Sequence, residues 1–367
     1  MPDFRGGGAE QVMVTLAQEI ARRGFDVCLV VLRAHGPLAV DGSAAVHQHV
    51  LDARTTRAAV SGLRRWLQAW QPQVLLVSPS HLGWAAAWAA RATTTRVFIR
   101  EASTLSAELA ALPWTQRWIR LAAEKYLCRN VRRGALSHRA AADLAHCLRL
   151  PPDRICVLPN PVISATLWQR GAHRVAQTPA ALDPNRPMRY LSAGRLDRQK
   201  GMDVLIRAFA ALKPRPGDRL LIAGEGAERP ALEALANTLG VASQVEFLGY
   251  RVDLIDLMLE ASAFVLASRW EGLPGVLIQA LASGLPVVAT DAPGGAAEIL
   301  EQGRWGRLVP VEDVHALSAA MQALRYERPG QPDDAWRQRY DIVHATDRYL
   351  DFMDLPYRNG DSRPCAE

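Results

Sequence analysis

The chain has 367 residues, 49% of them hydrophobic and 22% charged, a mix that excludes disorder, collagen and coiled coil, while the length favours two domains. Its five cysteines, Cys28, Cys128, Cys147, Cys156 and Cys365, are widely spaced with no C-x-x-C pair, which argues against a disulfide framework and a zinc site. The net charge of +6 is uneven: residues 1–165 carry 20 Lys and Arg against 11 Asp and Glu. A basic first half calls for an anionic partner. No basic cluster is interleaved with stacking aromatics on strands, and no zinc or helix-turn-helix signature appears, so nucleic acid is not expected and a membrane surface is the other candidate.

In chain order, residues 9–23 place Val12, Leu16 and Ile20 at helical spacing. Gly6-Gly7-Gly8 opens that helix. Glycines there let an anion approach the helix N–H groups, although an ordinary flexible loop is an equal reading. The strand expected before such a loop is missing, because the loop follows only five residues. Either the reading frame starts earlier or the strand is a stub. Met1 to Arg5 lacks the apolar core of a signal peptide, so a cytoplasmic chain is expected.

Val27–Leu32, Val74–Val77 and Val97–Ile99 read as buried strands, and Trp84–Ala90 is apolar but too short to cross a membrane. Between residues 114 and 133, Trp114, Trp118, Ile119 and Leu121 are mixed with Arg117, Arg120, Lys125, Arg129, Arg132 and Arg133. That stretch reads either as an interfacial segment on anionic lipid or as a core helix with a solvated basic face. Strand Ile155–Leu158 meets the breaker Pro159-Asn160-Pro161. Residues 166–187 lack clear periodicity and end in Asp183-Pro184-Asn185-Arg186-Pro187, which reads as a linker.

A second alternating series follows. Strand Arg189–Ala193 leads through Gly194-Arg195-Leu196-Asp197 to a helix near Met202–Leu212, and strand Arg219–Ala223 leads through Gly224-Glu225-Gly226 to one near Arg229–Leu239. Strands Val245–Leu248 and Ala263–Ala267, helix Val276–Ala282 and strand Pro286–Thr290 complete it. Apolar strands alternating with amphipathic helices make two doubly wound α/β halves, whose ligands sit at the carboxyl ends of the strands.

Three strand-end loops carry chemistry. Arg195 and Lys200 suit a diphosphate, the first as a fork and the second as a point charge. Two solvated surface charges are the alternative, but of 43 basic residues only Lys125, Lys200 and Lys213 are lysine, so a lysine at this turn is a choice. Glu271-Gly272-Leu273-Pro274-Gly275 precedes a helix whose first N–H groups favour an anion, with Glu271 an acceptor for sugar hydroxyls or only a helix-entry charge. Asp291-Ala292-Pro293-Gly294-Gly295 is a further glycine loop or a plain turn.

Taken together, Gly6-Gly7-Gly8-Ala9-Glu10, Gly194-Arg195 with Lys200-Gly201, Gly224-Glu225-Gly226, Phe247-Leu248-Gly249-Tyr250, Glu271-Gly272-Leu273-Pro274 and Pro286 through Asp291 resemble the family 4 glycosyltransferases. The resemblance covers most of the chain and is dense between about residues 188 and 300. It implies the GT-B fold, two Rossmann-like doubly wound domains facing a cleft. The expected domains are 1–165 on the acceptor side, linker 166–187, 188–340 for the nucleotide sugar, and a C-terminal helix and tail at 341–367 crossing back to the first domain.

The same resemblance implies a retaining transfer from a nucleotide-diphosphate sugar to a saccharide or lipid-linked acceptor of bacterial surface polysaccharide, at the inner membrane face and with no metal or other cofactor. Arg195, Lys200 and Glu271 would be catalytic. Gly7 and Gly8 would close on the donor phosphates, Tyr250 and Arg251 would lie beside the base, and the backbone of Leu273 and Gly275 would assist. The acidic residue that the family places eight positions after Glu271 is here Gln279, a departure that implies altered donor affinity. The acceptor-side residue has no clear match; His81, Arg100 and Glu101 are the nearest. A sugar-nucleotide-binding protein without catalysis and a nucleotide-sugar epimerase of related fold remain the alternative readings.

Overall fold

The computed structural model describes residues 1–4, 7–36, 46–110, 112–151, 154–178 and 183–356. Gly6 and Cys365, both named above, lie outside them. The chain divides into two compact units, Met1–Val162 with Arg339–Glu367, and Ile163–Gln338.

The first unit runs α1 Gly8–Arg22, β1 Val27–Val31, β2 Val46–Val50, α2 Thr56–Trp70, β3 Val74–Val77, α3 Gly83–Ala90 and β4 Arg96–Arg100. It continues with α4 Leu105–Ala110, α5 Trp114–Leu127, β5 Arg132–Ala135, α6 His138–Leu148 and β6 Ile155–Val157. β1 and β2 pair in parallel, and β3, β4, β5 and β6 form a separate parallel sheet in that order. Side-chain caps start several of the helices: Thr55, Ser137 and Ser164 each accept from the N–H three residues on, at 3.1–3.2 Å, and Asp313 and Asp341 do the same at 2.8 Å.

The second unit opens with α7 Ala165–Gln177, β7 Arg189–Ala193, α8 Met202–Ala211, β8 Arg219–Ala223, α9 Arg229–Thr238 and β9 Val245–Gly249. α10 Leu254–Glu260, β10 Ala263–Leu266, α11 Gly275–Ala282, β11 Val287–Thr290, α12 Ala296–Ile299, β12 Arg307–Val309 and α13 Val314–Ala323 follow. Its six strands are all parallel, in the order β12-β11-β10-β7-β8-β9. The winding starts at β7, runs outward to β9, and then returns to the other side of β7 with β10. The carboxyl ends of β7 and β10 therefore flank the point where the strand order reverses. α14 Asp334–Tyr340 brings the chain back to the first unit, where α15 Ile342–Phe352 lies against α1. Tyr349, Leu350 and Phe352 of α15 share a core there with Val12, Leu16, Ile20 and Phe98.

The linker reading of residues 166–187 is corrected. Residues 165–177 form α7, which packs on α11 inside the second unit. The sequence hides this helix because Gly171 interrupts its apolar face. That glycine is needed for contact: a Cβ there would lie 1.9 Å from the Ala282 carbonyl oxygen. Arg174 completes the joint by donating to the carbonyls of Gly284 at 2.6 Å, Ala261 at 2.8 Å and Leu259 at 3.2 Å.

The two mid-helix glycines Gly171 and Gly62 should respond oppositely to alanine. Alanine gains about 1 kcal/mol over glycine by helix propensity. At Gly62 the new methyl would meet only Leu51 at 3.6 Å, so Gly62→Ala should hold or raise the unfolding midpoint. At Gly171 the backbone must part, costing about 1–3 kcal/mol, so Gly171→Ala should lower it. Parallel thermal melts check both signs.

Candidate functional site at the strand ends of the second unit

The loop after β7 is shaped by close backbone approach. Gly194 has φ +159°, and a Cβ on Gly224 would sit 1.8 Å from its carbonyl oxygen, so the loops after β7 and β8 touch main chain to main chain. Gly194 N–H donates to Ala223 at 3.0 Å and Leu196 N–H to Glu225 at 2.9 Å. Leu196 is fully buried and anchors the turn, which leaves the neighbouring Arg195 outside with its side chain 71% exposed. Asp197 is the near charge, at 3.6 Å.

Five residues on, Gly201 adopts φ +62°, and a Cβ there would lie 2.1 Å from the Ala267 carbonyl. This brings Lys200 against the loop that follows β10. Its Nζ donates to Glu271 Oε1 at 2.6 Å, and Ser268 Oγ donates to the same oxygen at 2.6 Å. Glu271 is buried. A buried carboxylate is tolerated only with such partners.

Glu271 is held from behind as well. Its N–H donates to Pro293 at 2.9 Å, Gly295 N–H donates to Gly272 at 2.7 Å, and a Cβ on Gly294 would sit 2.3 Å from the Glu271 carbonyl. Thr290, at the end of β11, donates to the Ser268 carbonyl at 2.5 Å. The loops after β7 and β10 are also braced by Arg269, which reaches both Asp203 oxygens at 2.8 and 2.9 Å and the Arg198 carbonyl at 2.8 Å. Burial pushes the Asp203 carboxyl up, but the Arg269 hydrogen bonds and charge outweigh it and hold the group below its ordinary value.

Next to Glu271 the chain enters α11. Leu273 is buried, Pro274 caps the helix, and the first intrahelical bond is Leu277 N–H to Pro274 at 3.0 Å. The amides of Gly275 and Val276 precede that bond, at the positive end of the helix dipole. Gln279 follows Gly275 by one turn, on the same helix face, and among the described residues its side-chain amide has no hydrogen-bond partner. Tyr250 and Arg251 follow β9, two strands from β7 at the same end of the sheet. Tyr250 is half exposed, and Arg251 pairs with Asp253 at 2.8 Å.

The structure thus joins Lys200 and Glu271 directly; Arg195, Leu273, Gly275, Tyr250 and Arg251 follow the carboxyl ends of β7, β10 and β9 in the same sheet, and Gln279 lies one turn into α11. Sequence reasoning missed Ser268, Thr290 and the Arg269–Asp203 brace. Ser268 had one available signal: it directly follows a buried strand run, the position from which a side chain reaches a strand-end site.

The remaining residues lie in the first unit. Gly7 and Gly8 stand at the start of α1, where a Cβ on Gly7 would meet the Glu10 carboxylate at 2.4 Å and one on Gly8 would meet open space. His81 is exposed on the turn after β3. Arg100 and Glu101 are buried instead. Arg100 donates to Tyr349 Oη at 2.9 Å, Ser78 Oγ at 3.0 Å and Asn160 Oδ1. Glu101 shares the guanidinium of Arg133 with Glu124, at 2.7 and 2.6 Å, and burial raises its carboxyl above the ordinary range despite that cation. Arg133, grouped above with a lipid-facing stretch, is therefore an internal residue. Trp114, Trp118 and Ile119 on α5 are 66–73% exposed. Among the described residues no helix is long and apolar enough to cross a membrane.

Comparison with known proteins bears on this geometry. Residues 187–325 match the family described as glycosyl transferases group 1, and residues 7–161 match the glycosyl transferase 4-like domain. The chain is 30% identical over 198 residues to an N-acetylgalactosamine-N,N'-diacetylbacillosaminyl-diphospho-undecaprenol 4-alpha-N-acetylgalactosaminyltransferase of Campylobacter jejuni, covering 54% of this chain and 50% of that one. It is 34% identical over 134 residues to the lipopolysaccharide core biosynthesis glycosyltransferase LpsE of Rhizobium meliloti, covering 36% and 38%. The matches span between 17% and 50% of the length of the first curated relatives. Among solved structures, HepE of Anabaena with UDP and glucose superposes with a TM-score of 0.76 at 18% identity, covering 96% of this chain and 98% of that one. The chain belongs to the group 1 glycosyltransferases and has the GT-B fold.

Proposed function

We propose that the chain is a retaining, metal-independent glycosyltransferase that moves a sugar from a nucleoside-diphosphate donor to a saccharide or lipid-linked acceptor of bacterial surface polysaccharide. The observation that carries this reading is the Lys200–Glu271–Ser268 cluster, set beside the α11 N-terminus where the strand order reverses. Relatives named for lipopolysaccharide core and undecaprenol-linked sugar transfer support the acceptor class, and a structural neighbour crystallised with UDP-glucose supports the donor class.

Departure of the diphosphate builds negative charge on its terminal oxygen while the sugar becomes oxocarbenium-like. Groups that hold that charge more strongly in the transition state than in the ground state raise turnover. Arg195, Lys200 and the first α11 amides fill that role. Lys200 has three N–H donors, so one can stay on Glu271 while others reach the diphosphate. Glu271, fixed from both sides, is then the acceptor for sugar hydroxyls. Substitution on one face of the sugar, with the departing diphosphate held by these groups, is the route that this reading favours.

Arg195→Ala and Lys200→Ala should each lower turnover by roughly 10²-fold, as loss of one oxyanion donor does. Their stabilities should differ. Arg195 is exposed and its removal should leave the melting point unchanged, whereas Lys200→Ala takes a cation away from the buried Glu271 carboxylate and should lower it. Steady-state rates with a panel of sugar nucleotides, alongside thermal melts, check both. Diphosphate release at wild-type rate in both variants would overturn the assignment, and sugar-nucleotide binding with no turnover in the unaltered chain would leave a binding protein.

Gln279 gives a separate expectation. If it faces the ribose diol, it is a neutral acceptor where a carboxylate would be stronger by about 1 kcal/mol, or about fivefold in affinity. Gln279→Glu should lower the donor KM severalfold with kcat nearly unchanged, because the ribose is remote from the bond that breaks. A rise in KM would show that the amide is tuned to other neighbours.

The exposed Trp114, Trp118 and Ile119 beside Arg117, Lys125 and Arg129 also fit an interfacial helix on anionic lipid. Sedimentation with anionic vesicles at low and high salt reads this directly. The chain should pellet at low salt, and Trp114→Ala with Trp118→Ala should release it. No pelleting at low salt ends the idea.

A further inference from the structure

Several arginines crowd the amino ends of the second unit's strands, and most have an acceptor of their own. Arg189 faces Glu260 at 3.8 Å, Arg219 faces Glu246 at 3.6 Å, Arg307 pairs with Glu327, and the buried Arg325 pairs with Asp218. Arg215 donates to the Pro184 carbonyl at 2.6 Å. Arg174 has no carboxylate but spends its donors on three carbonyls just ahead of β10 and β11. It also stands in the last turn of α7, where a cation suits the helix dipole.

Arg186 and Arg328 have no such explanation. Both side chains are exposed, neither lies in a helix, and among the described residues neither guanidinium has a hydrogen-bond or carboxylate partner. Like charges on free side chains would spread into solvent. These stay together: burial and the charge of Arg186 hold Arg328 below its ordinary pKa, and burial with the charges of Arg328 and Arg186 does the same to Arg174. The backbone presents Arg186 firmly, its N–H donating to the Asp183 carbonyl at 3.1 Å and its carbonyl accepting from Arg325 at 3.3 Å. Beside it runs a groove of about 510 Å³ lined by Arg186, Arg189, Arg219 and Ser262, with Glu246 and Glu260 as its carboxylates. Those two carboxylates are already shared with Arg189 and Arg219, so the positive excess falls on Arg186 and its neighbours Arg328 and Arg174.

We propose that Arg186 and Arg328, at this groove, form a second anion site whose ligand is a phosphoryl group. Guanidinium forks match phosphate oxygens two at a time, and a phosphate dianion would cancel the charge that these two unpaired side chains leave. Arg189 and Arg219 can join from the groove, since their own pairs are long and exposed and hold them weakly. The five residues of β7 put this site roughly 16 Å from the loop of Arg195 and Lys200, at the opposite end of the sheet. A ligand here would therefore bind alongside a sugar nucleotide and not in its place.

Melting curves in chloride buffer, with and without about 10 mM orthophosphate, test the site on three proteins: the unaltered chain, Arg195→Ala, and Arg186→Gln combined with Arg328→Gln. Phosphate should raise the midpoint of the first two by about 3 °C and leave the third unmoved. In chloride alone the double variant should melt no lower than the unaltered chain, because the lost side chains hold nothing and their repulsion is gone. Equal phosphate shifts with and without Arg186 and Arg328, a shift lost in Arg195→Ala, or a double variant that melts lower in chloride overturns the proposal. Vesicles of phosphatidylglycerol, offered to a Trp114→Ala, Trp118→Ala chain with and without the Arg186→Gln and Arg328→Gln changes, separate the sources of the phosphoryl group. Pelleting that requires Arg186 and Arg328 makes a lipid headgroup the source, and a response to orthophosphate alone makes it a soluble phosphate. Neither response overturns the site.

Discussion

The ion pair between Lys200 and Glu271 joins residues 71 positions apart, and much of the second unit is arranged so that it can form. The sheet must reverse between β7 and β10, which puts the two strand ends side by side. The loops must then approach without side chains between them, which Gly194, Gly201, Gly224 and Gly294 permit through backbone contacts no Cβ could share. Burying both charges costs several kcal/mol each before any attraction is counted. Ser268 offsets part of that by donating to the same carboxylate oxygen. An apolar pair would stabilise such a junction equally well, so retaining charge at the reversal point is better explained by what the charges can hold than by stability.

The first unit handles charge differently. Arg133 lies inside with two carboxylates around one guanidinium, and Arg100 lies inside with none, held by Ser78, Asn160 and Tyr349. Arg100 has five N–H donors and no flexibility in its plane, so it fixes whatever supplies the acceptors. One of those is α15, whose Tyr349 also packs among Val12, Leu16 and Phe98. The last helix is thus tied to the strand ends by a polar bond and to α1 by apolar contact.

Legibility of the sequence followed burial pattern. β7, β8, β10 and β11 were read to within a residue or two because strands covered on both faces are unbroken apolar runs. β5 was not, since Arg132-Arg133-Gly134-Ala135 has no such run and buries a guanidinium in place of an aliphatic chain. β2, Val46-His47-Gln48-His49-Val50, is an edge strand with polar residues at its centre and gave no signal either. α7 was lost to its glycine. For the site, Lys200 and Glu271 were each legible as charges at strand ends, one for phosphate and one for hydroxyls. Their contact was not, because local pattern carries no information about which distant strand becomes a neighbour. Arg100 and Glu101 show the converse: a charged dipeptide at a strand end reads as a surface feature, and only packing reveals both side chains turned inward.

The choice of lysine at position 200 follows from the same geometry. Of 43 basic residues only three are lysine, so arginine is this chain's default. A guanidinium presents its donors in one rigid plane and pairs best with a single carboxylate face-on, as Arg269 does with Asp203. Glu271 offers Oε1 to two donors at once, Ser268 and Lys200, each at 2.6 Å. An ammonium meets that oxygen through one of three tetrahedrally spread hydrogens and leaves the other two pointing elsewhere. It is also smaller, and the space is limited, since a Cβ on Gly194 would already lie 3.2 Å from the Lys200 chain. A fork there would have to surrender either Ser268 or its own second edge. A point charge surrenders neither, which leaves Lys200 able to serve Glu271 and an arriving anion together.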